Sequence, residues 1–485
     1  MNPSRKLISL LFLVALFLSA CHPHAKDTKK SVVKVFTTIQ NVDFYEPWKP
    51  GSTANLEGCG TILPEGRILT NAHLANKATY IEVQKFGETK RYVAKVDKVG
   101  NNLDLALLTV DDKEFSKDTV PVEFGDLPAP GDKISLQGGD ELSVKDDTVA
   151  GLDMAWVWEG ATYEPVLMTG SDIDIKINGC PVFNKDKKFV GIPLSTWHKQ
   201  EKSGSVLPIT VVKNFLRAVE GGHDYIGEAD PGIYTQELKS PALRDYYHLP
   251  ADKTGVVVTR VQYGACTEGL LKEGDVLSAI DGHVIDNEGY TQLDKNQRVE
   301  ADYLLSLYLP GETTTFELFR GGQSLKVKIP LKTVPRLVDY RADNRHPTYF
   351  MVAGFVFVPL TYNYLQGMDW KSLKPELKDL YNHGQITPER KEVVLLSHVL
   401  PHDINVGYHY FTNVVIDKVN GKKISGIKDL VAAFASPVDG RDVIEFEDHA
   451  WDGSMMVIDA TKAKRATDEI MSAMSIPADR SDDLK

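Results

Sequence analysis

The stretch GCGTILPEGRILTNAH (residues 58–73) and the shorter stretch NLDLALL (residues 102–108) decide the fold of this chain. Around them, short runs of β-branched and apolar residues are separated by glycine, proline and asparagine, at the spacing that is typical of β-sandwiches and barrels. The spacing of apolar residues becomes helical only at 209–216. We therefore expect residues 31–222 to form a mainly β domain, a barrel that is closed by one helix.

Composition limits the classes of function that this chain can have. Its 485 residues are 42% hydrophobic and 25% charged, which is typical of a globular protein of about three domains. The net charge is −12 and no dense basic run is present, so we expect no nucleic-acid partner. Four scattered cysteines exclude a disulfide-dense scaffold, and the sequence has neither a CxxC zinc pair nor a glycine-rich phosphate loop. We expect no metal and no cofactor.

The first residues are typical of an export signal. Two basic residues precede a twelve-residue apolar run at 7–18, which is short for a membrane span. The run ends in LSAC (residues 18–21), which resembles a bacterial lipobox, where the signal is cut before the cysteine and that thiol is lipidated. We expect a lipoprotein signal peptide at 1–20, a polar tether at 21–30, and attachment through Cys21 to a membrane of the bacterial envelope, facing the periplasm. The alternative is an ordinary cleaved signal peptide.

The order of the motifs in the β domain is that of a known protease family. GCGTI, ILTNAH and NLDLALL resemble, in order and spacing, the strings that carry the catalytic histidine and aspartate in trypsin-like proteases of the HtrA/Deg family. The resemblance implies a double β-barrel protease domain over 31–222. It makes His73 the general base and Asp104 the residue that fixes its imidazole and stabilises the imidazolium.

The nucleophile motif departs from the family pattern. The family has GNSGGP at a tight turn, whereas this chain has NGCPVFN at 178–184, with FVGI following at 189–192 as the family leads us to expect. The turn contains no serine.

Two alignments of the turn are open. An alignment on Pro181 places Asn178 at the serine position and leaves no nucleophile, because an amide nitrogen is not a usable attacking group. An alignment on the upstream Asp172 places Cys180 there, and a thiol beside His73 could attack. Pro181 would then follow the nucleophile directly and remove one backbone N–H from the oxyanion turn.

The resemblance gives the same cysteine a third role. Cys59 replaces the serine that the family has between two glycines, on a strand that passes beside the nucleophile turn in the trypsin fold. In an oxidising envelope, Cys59 and Cys180 can form a disulfide if their Cα atoms lie within about 7 Å. Such a bond would stabilise the domain and block thiolate chemistry. Two unpaired, buried cysteines are the alternative.

Residues 223–335 resemble a PDZ domain, most specifically in GDVLSAIDG at 274–282. In that family, consecutive N–H groups of one loop hold a peptide C-terminus while the peptide adds a strand to the sheet edge. The residues that resemble this loop are Pro231, Gly232, Ile233 and Tyr234. A domain that only packs against its neighbours is the alternative.

Residues 336–485 look like the C-terminal part of plant-type Deg proteases, which carry a second, divergent PDZ-like α+β domain. The strings YFMVAGFVF at 349–357 and VVLLSHVL at 393–400 carry this resemblance, and the pattern at 427–434 predicts a helix. In the relatives this region serves assembly, so the resemblance implies a homotrimer or a multiple of trimers.

Two functions are compatible with these features. On chemical grounds we favour a protease-fold chaperone or scaffold that binds unfolded or misfolded polypeptides and peptide C-termini, and whose nucleophile turn has decayed. The alternative is an active endopeptidase that uses His73, Asp104 and Cys180.

Overall fold

The structure is a computed structural model that describes residues 28–138, 143–173, 178–197, 203–339, 346–447 and 455–485. The predicted signal peptide and Cys21 lie outside these residues. The fold class is the expected one: a mostly β chain with a trypsin-like domain and PDZ-type sheet domains. Within the described ranges, no helix is long and apolar enough to cross a membrane.

The first barrel of the protease domain closes in the strand order β1-β2-β3-β6-β5-β4. Its strands are β1 (Val32–Val42), β2 (Pro50–Ile62), β3 (Ile68–Asn71), β4 (Ala78–Lys85), β5 (Arg91–Gly100) and β6 (Leu105–Thr109). Strand β6 is buried on both faces. Ala106 and Leu108 pack inside the barrel, whereas Leu105 and Leu107 join the core of the second barrel, because successive side chains of a strand point to opposite faces.

The second barrel is a seven-stranded sheet in the order β12-β8-β7-β10-β11-β13-β9, with β8 also paired to β9. Its strands are β7 (Lys133–Gly138), β8 (Ser143–Val157), β9 (Thr162–Thr169), β10 (Val182–Asn184), β11 (Phe189–Leu194), β12 (Thr196–Trp197) and β13 (Ser205–Pro208). Helix α1 (Ile209–Ala218) follows and buries Val212 and Phe215 in the core shared by the two barrels. This confirms the helix that the sequence predicts there.

The middle domain is a sheet in the order β14-β15-β16-β20-β21, with β17 paired to β16 and a separate hairpin β18-β19. Its elements are β14 (Ile233–Glu237), α2 (Pro241–Tyr246), β15 (Val256–Val261), β16 (Val276–Ile280), β17 (His283–Val284), β18 (Tyr290–Asp294), β19 (Gln297–Glu300), β20 (Thr313–Arg320) and β21 (Gln323–Pro330). The Asn214 amide on α1 donates to the carbonyls of Ser306 and Tyr308, which fastens this domain to the protease domain.

The C-terminal domain has the strand order β22-β23-β24-β25-β27-β28, with β26 paired to β25. Its elements are β22 (Phe350–Val352), β23 (Phe355–Pro359), α3 (Tyr362–Gln366), α4 (Pro375–His383), β24 (Val394–Val399), β25 (Val414–Val419), β26 (Lys422–Lys423), α5 (Ile427–Phe434), β27 (Arg441–Phe446), β28 (Met455–Asp459) and α6 (Ala460–Met474). Helix α5 has the bounds that the sequence predicts. The loop between β1 and β2 contacts this domain, since Tyr45 stacks on His398 with ring centroids 4.3 Å apart.

A disulfide joins the two barrels. Cys59 on β2 is bonded to Cys180, which lies just before β10, and their Cα atoms are 4.7 Å apart. Both side chains are buried at 2% exposure or less. The bond spans 121 residues.

A pair of carboxyl groups lies where the protease domain meets its linker. Glu164 on β9 is fully buried, and Glu228 lies in the segment after α1. The Asn102 amide is 3.4 Å from the Glu164 carboxylate, and Glu228 also experiences the charges of Asp230 and Arg336. Burial raises the pKa of Glu228 to about 7. Burial and the charge of Glu228 raise the pKa of Glu164 well above its usual value.

Removing the disulfide should destabilise the protease domain. We expect the double variant Cys59→Ala/Cys180→Ala to lose about 2–5 kcal/mol of unfolding free energy, because the bond restrains the unfolded chain. Urea denaturation with and without reductant measures this loss. Reductant should lower the stability of the wild type and leave the double variant unchanged, and a wild type that ignores reductant would contradict the prediction.

Raising the pH should weaken the fold through the buried carboxyl pair. An unfolded glutamate loses its proton near 4.5, whereas Glu228 keeps its proton until about 7 in the folded chain. The folded state therefore binds more protons between these values, and its stability falls as the pH rises through them. Since Glu228→Gln cannot ionise, the wild type should lose a few degrees of melting temperature relative to this variant between about pH 5 and about pH 8.

Calorimetry across this pH range tests the expectation. Glu237→Gln is the matched control, because Glu237 is an exposed glutamate on β14. Its curve of melting temperature against pH should run parallel to that of the wild type. If the Glu228→Gln curve were parallel as well, the carboxyl pair would not be the source of the pH dependence.

Candidate active site

The imidazole of His73 is held by a carboxylate from a neighbouring strand. His73 lies in the 3₁₀ turn Ala72–Leu74 after β3, and Asp104 directly precedes β6, which pairs with β3. The Asp104 Oδ2 atom is 2.8 Å from His73 Nδ1, and its Oδ1 accepts the backbone N–H of His73 at 2.8 Å. Asp104 is 1% exposed. The strand pairing thus brings together the predicted base and its orienting residue, 31 positions apart.

The second ring nitrogen of His73, Nε2, contacts an amide. The Nδ2 atom of Asn178 lies 3.0 Å from His73 Nε2. A carboxylate only accepts hydrogen bonds, so Nδ1 carries the proton that points to Asp104. In the neutral ring Nε2 is then the acceptor, and the Asn178 amide donates to it. Asn178 therefore occupies the lone pair with which a histidine base would deprotonate a nucleophile.

The turn that carries Asn178 is packed tightly against β2. The carbonyl of Asn178 accepts the N–H of Cys59 at 2.8 Å. Gly179 follows with φ +78°, and a Cβ atom there would lie 2.0 Å from the Cys59 carbonyl oxygen. Only glycine fits this position, in a backbone conformation that other residues rarely adopt.

Cys180 lies in the interior of the domain. Its sulfur is bonded to Cys59, and the two cysteines pack with Val32 in a buried cluster. Of the two alignments that the sequence leaves open, the geometry matches the one on Pro181, with Asn178 at the serine position. In the disulfide-bonded state, Cys180 has no thiol.

The sequence analysis missed one polar residue, Asn71, which connects the three segments of the site. Its Nδ2 lies 3.1 Å from the carbonyl of Asp104 and 3.3 Å from that of Pro193 on β11. Its Oδ1 accepts the N–H of Gly179 at 2.5 Å. Asn71 is fully buried. The signal in the sequence was an asparagine directly before Ala-His, at the end of a short, fully buried strand.

The residues predicted to bind a peptide carboxylate lie in the middle domain, at the start of an edge strand. Pro231 and Gly232 precede β14, and Ile233 and Tyr234 are its first two residues. The Pro231 carbonyl accepts the hydroxyl of Thr267 at 2.6 Å. Strand β14 is the terminal strand of its sheet within the described part of the chain.

Metal-ligating side chains do not cluster in the described parts of the chain. No group of three or more His, Cys, Asp and Glu residues there is placed to hold a metal ion.

Two family patterns match parts of this chain. The family pattern for a trypsin-like peptidase domain matches residues 58–192, and the pattern for a PDZ domain matches residues 338–483. In the solved structure "HtrA-type protease AlgW with decapeptide", the similarity covers 64% of this chain and 97% of that chain, at 19% identity and a TM-score of 0.46.

Curated relatives match nearly the whole chain. "Protease Do-like 2, chloroplastic" of Arabidopsis thaliana is 31% identical over 473 residues, which cover 95% of this chain and 76% of the relative. "Putative protease Do-like 3, mitochondrial" of the same plant is 28% identical over 460 residues, covering 94% and 80%. With its motifs, its trypsin-like domain and its PDZ domain in this order, the chain belongs to the HtrA/Deg family.

Proposed function

We propose that this protein binds misfolded polypeptides without cleaving them, as a protease-fold chaperone or scaffold of the HtrA/Deg family. The single observation that carries the proposal is the 3.0 Å contact between Asn178 Nδ2 and His73 Nε2. An amide beside the histidine, where this fold requires a nucleophile, supports binding without cleavage.

Acyl transfer in this fold needs a hydroxyl or thiol beside the histidine base. The Asn178 amide cannot take that part, because its nitrogen lone pair is delocalised into the carbonyl. His73 and Asp104 keep the geometry of a base and its orienting residue, but the base has no proton to remove from an attacking atom. The retained pair is then a structural element that holds the turn.

The alternative function, an endopeptidase with Cys180 as nucleophile, needs a free thiol close to His73. The bond to Cys59 supports the scaffold function instead. Reduction of that bond is the condition under which the alternative has to be tested.

The middle domain supports polypeptide binding through its open sheet edge. Strand β14 has an exposed row of residues from Tyr234 to Glu237, and Tyr234 is 42% exposed. An extended segment of a client can pair with such an edge by main-chain hydrogen bonds, whatever its sequence.

Cellular location and assembly belong to the same proposal. We propose that a lipid on Cys21 attaches the protein to a membrane of the bacterial envelope, on the periplasmic side, and that it assembles as trimers of the protease domain. The apolar run at 7–18 and the LSAC string support the anchor.

A serine placed at position 178 should restore peptidase chemistry. We expect no cleavage of unfolded casein by the wild type, and cleavage together with fluorophosphonate labelling in Asn178→Ser, because the hydroxyl then lies beside an oriented base. His73→Ala in the Asn178→Ser background should lower the rate by ~100-fold or more. Mass spectrometry of the labelled residue identifies the nucleophile.

Two matched cysteine variants separate the alternatives under reducing conditions. Cys59→Ala and Cys180→Ala both lose the disulfide, but only Cys180→Ala removes a candidate nucleophile. Casein cleavage that persists in Cys59→Ala and disappears in Cys180→Ala would overturn the scaffold proposal. Suppression of aggregation of reduced α-lactalbumin, without cleavage, is the result that we expect from both variants.

Substitution of Cys21 tests the anchor. In a Gram-negative host, the wild type should sediment with membranes and incorporate labelled palmitate, whereas Cys21→Ser should do neither, because stable attachment needs the acyl chains. Equal sedimentation of both forms without label would contradict lipidation, and Cys266→Ser controls for loss of a cysteine elsewhere.

A further inference from the structure

Two of the four residues in the loop at the start of β14 offer no backbone N–H to a peptide carboxylate. Consecutive N–H groups bind the carboxylate in this type of loop. Pro231 has no N–H. The N–H of the next residue, Gly232, already donates to Oδ1 of Asp230 at 2.7 Å. A carboxylate of the chain itself thus takes one of the donors that an incoming C-terminus would use.

The loop is held in this conformation from several sides. The Gly232 carbonyl accepts the N–H of Gln262 at 2.8 Å, and the Pro231 carbonyl accepts the Thr267 hydroxyl at 2.6 Å. A Cβ atom on Gly232, where φ is +66°, would lie 2.4 Å from the Cβ of Ala265. Because these contacts fix the loop, a ligand cannot gain the Gly232 N–H by a small rotation of the backbone.

The negative charges near the loop also disfavour the binding of a peptide carboxylate. The Asp230 carboxylate lies within electrostatic range of Glu228 and Asp302. Two basic residues are also nearby. The charge of Arg336 lowers the pKa of Glu228, and the backbone of Lys332 pairs with that of Asp230. A peptide carboxylate at Gly232 would displace or directly face Asp230, and like charges a few ångströms apart repel.

The side of the loop that leads into β14 has no such restriction. The Arg260 guanidinium lies over the Tyr234 ring, 5.5 Å from its centroid, and the strand continues exposed to Glu237. This edge can accept main-chain hydrogen bonds from an extended segment that passes along it without ending there.

We propose that the middle domain captures internal extended segments of unfolded polypeptides, and that Asp230 is the specificity-determining residue that excludes free C-terminal carboxylates. This inference rests on the proposed polypeptide-binding function and names its ligand class. An unfolded client offers many internal segments and one C-terminus, so the exclusion of the C-terminus removes little of the available ligand.

Matched peptides test the inference on the full-length protein in mild detergent. Two fluorescein-labelled peptides share one apolar, β-prone sequence, and one ends in a free carboxylate while the other ends in an amide. Fluorescence anisotropy gives the dissociation constant of each. For the wild type, we expect the amide to bind at least as tightly as the acid.

Variants of Asp230 reverse that preference in a graded way. Asp230→Ala frees the Gly232 N–H and removes the charge, so the acid should gain about tenfold over the amide, the factor expected for one hydrogen bond to a charged group. Asp230→Asn keeps a side-chain oxygen near that N–H and removes only the charge, so its gain should be smaller. Asp252→Ala, which removes an exposed aspartate of the same domain, should leave the ratio unchanged.

The outcomes distinguish this inference from the function on which it rests. A wild type that binds the acid about tenfold more tightly than the amide overturns the role of Asp230, while polypeptide capture stands. An unchanged ratio of the acid and amide dissociation constants in both Asp230 variants also overturns the role of Asp230. The wild-type comparison does not depend on whether the variants fold. If neither peptide and no reduced α-lactalbumin bind to any form, capture by this protein fails and the inference fails with it.

Discussion

The buried amide of Asn71 joins the parts of the molecule on which the site depends. It contacts the carbonyls of Asp104 and Pro193 and accepts the N–H of Gly179. These groups come from the first barrel, the second barrel and the turn at 178–180. A fully buried amide that left these partners would lose several hydrogen bonds in a region that water does not reach. The relative position of the two barrels and the turn is therefore set by this side chain, together with the Cys59–Cys180 bond that spans the same junction.

The retention of His73 and Asp104 beside an amide has a physical explanation in this arrangement. Asp104 accepts both the ring and the backbone N–H of His73, and the ring then accepts from Asn178. Each of these hydrogen bonds satisfies a polar group that would otherwise lack a partner in the protein. In the middle domain, the Asp230 carboxylate likewise accepts the N–H of Gly232, directly before β14.

Much of the fold was predictable because its signals are local. Short runs of β-branched and apolar residues between turn residues predict the strands of both barrels, and helices α1 and α5 begin and end close to where the 3.6-residue period begins and ends. Asn71 was missed because the ILTNAH string was interpreted through its histidine, and the contacts of the Asn71 amide join segments that are remote in the sequence. The contacts of the β1–β2 loop with the C-terminal domain, such as Tyr45 on His398, join residues that no sequence pattern connects.

The sequence by itself determined the family, the barrel architecture and the places of His73 and Asp104, because these residues stand in strings long enough to identify their strands and turns. It left Asn178 and Cys180 as competing occupants of one position, since two registers of the same short turn are compatible with the printed letters. Only the tertiary structure decided which of them contacts the imidazole. The positive φ of Gly179 and its close approach to the Cys59 carbonyl direct Asn178 towards His73 and place the Cys180 sulfur against Cys59, and such distances between remote segments are not written in the order of residues.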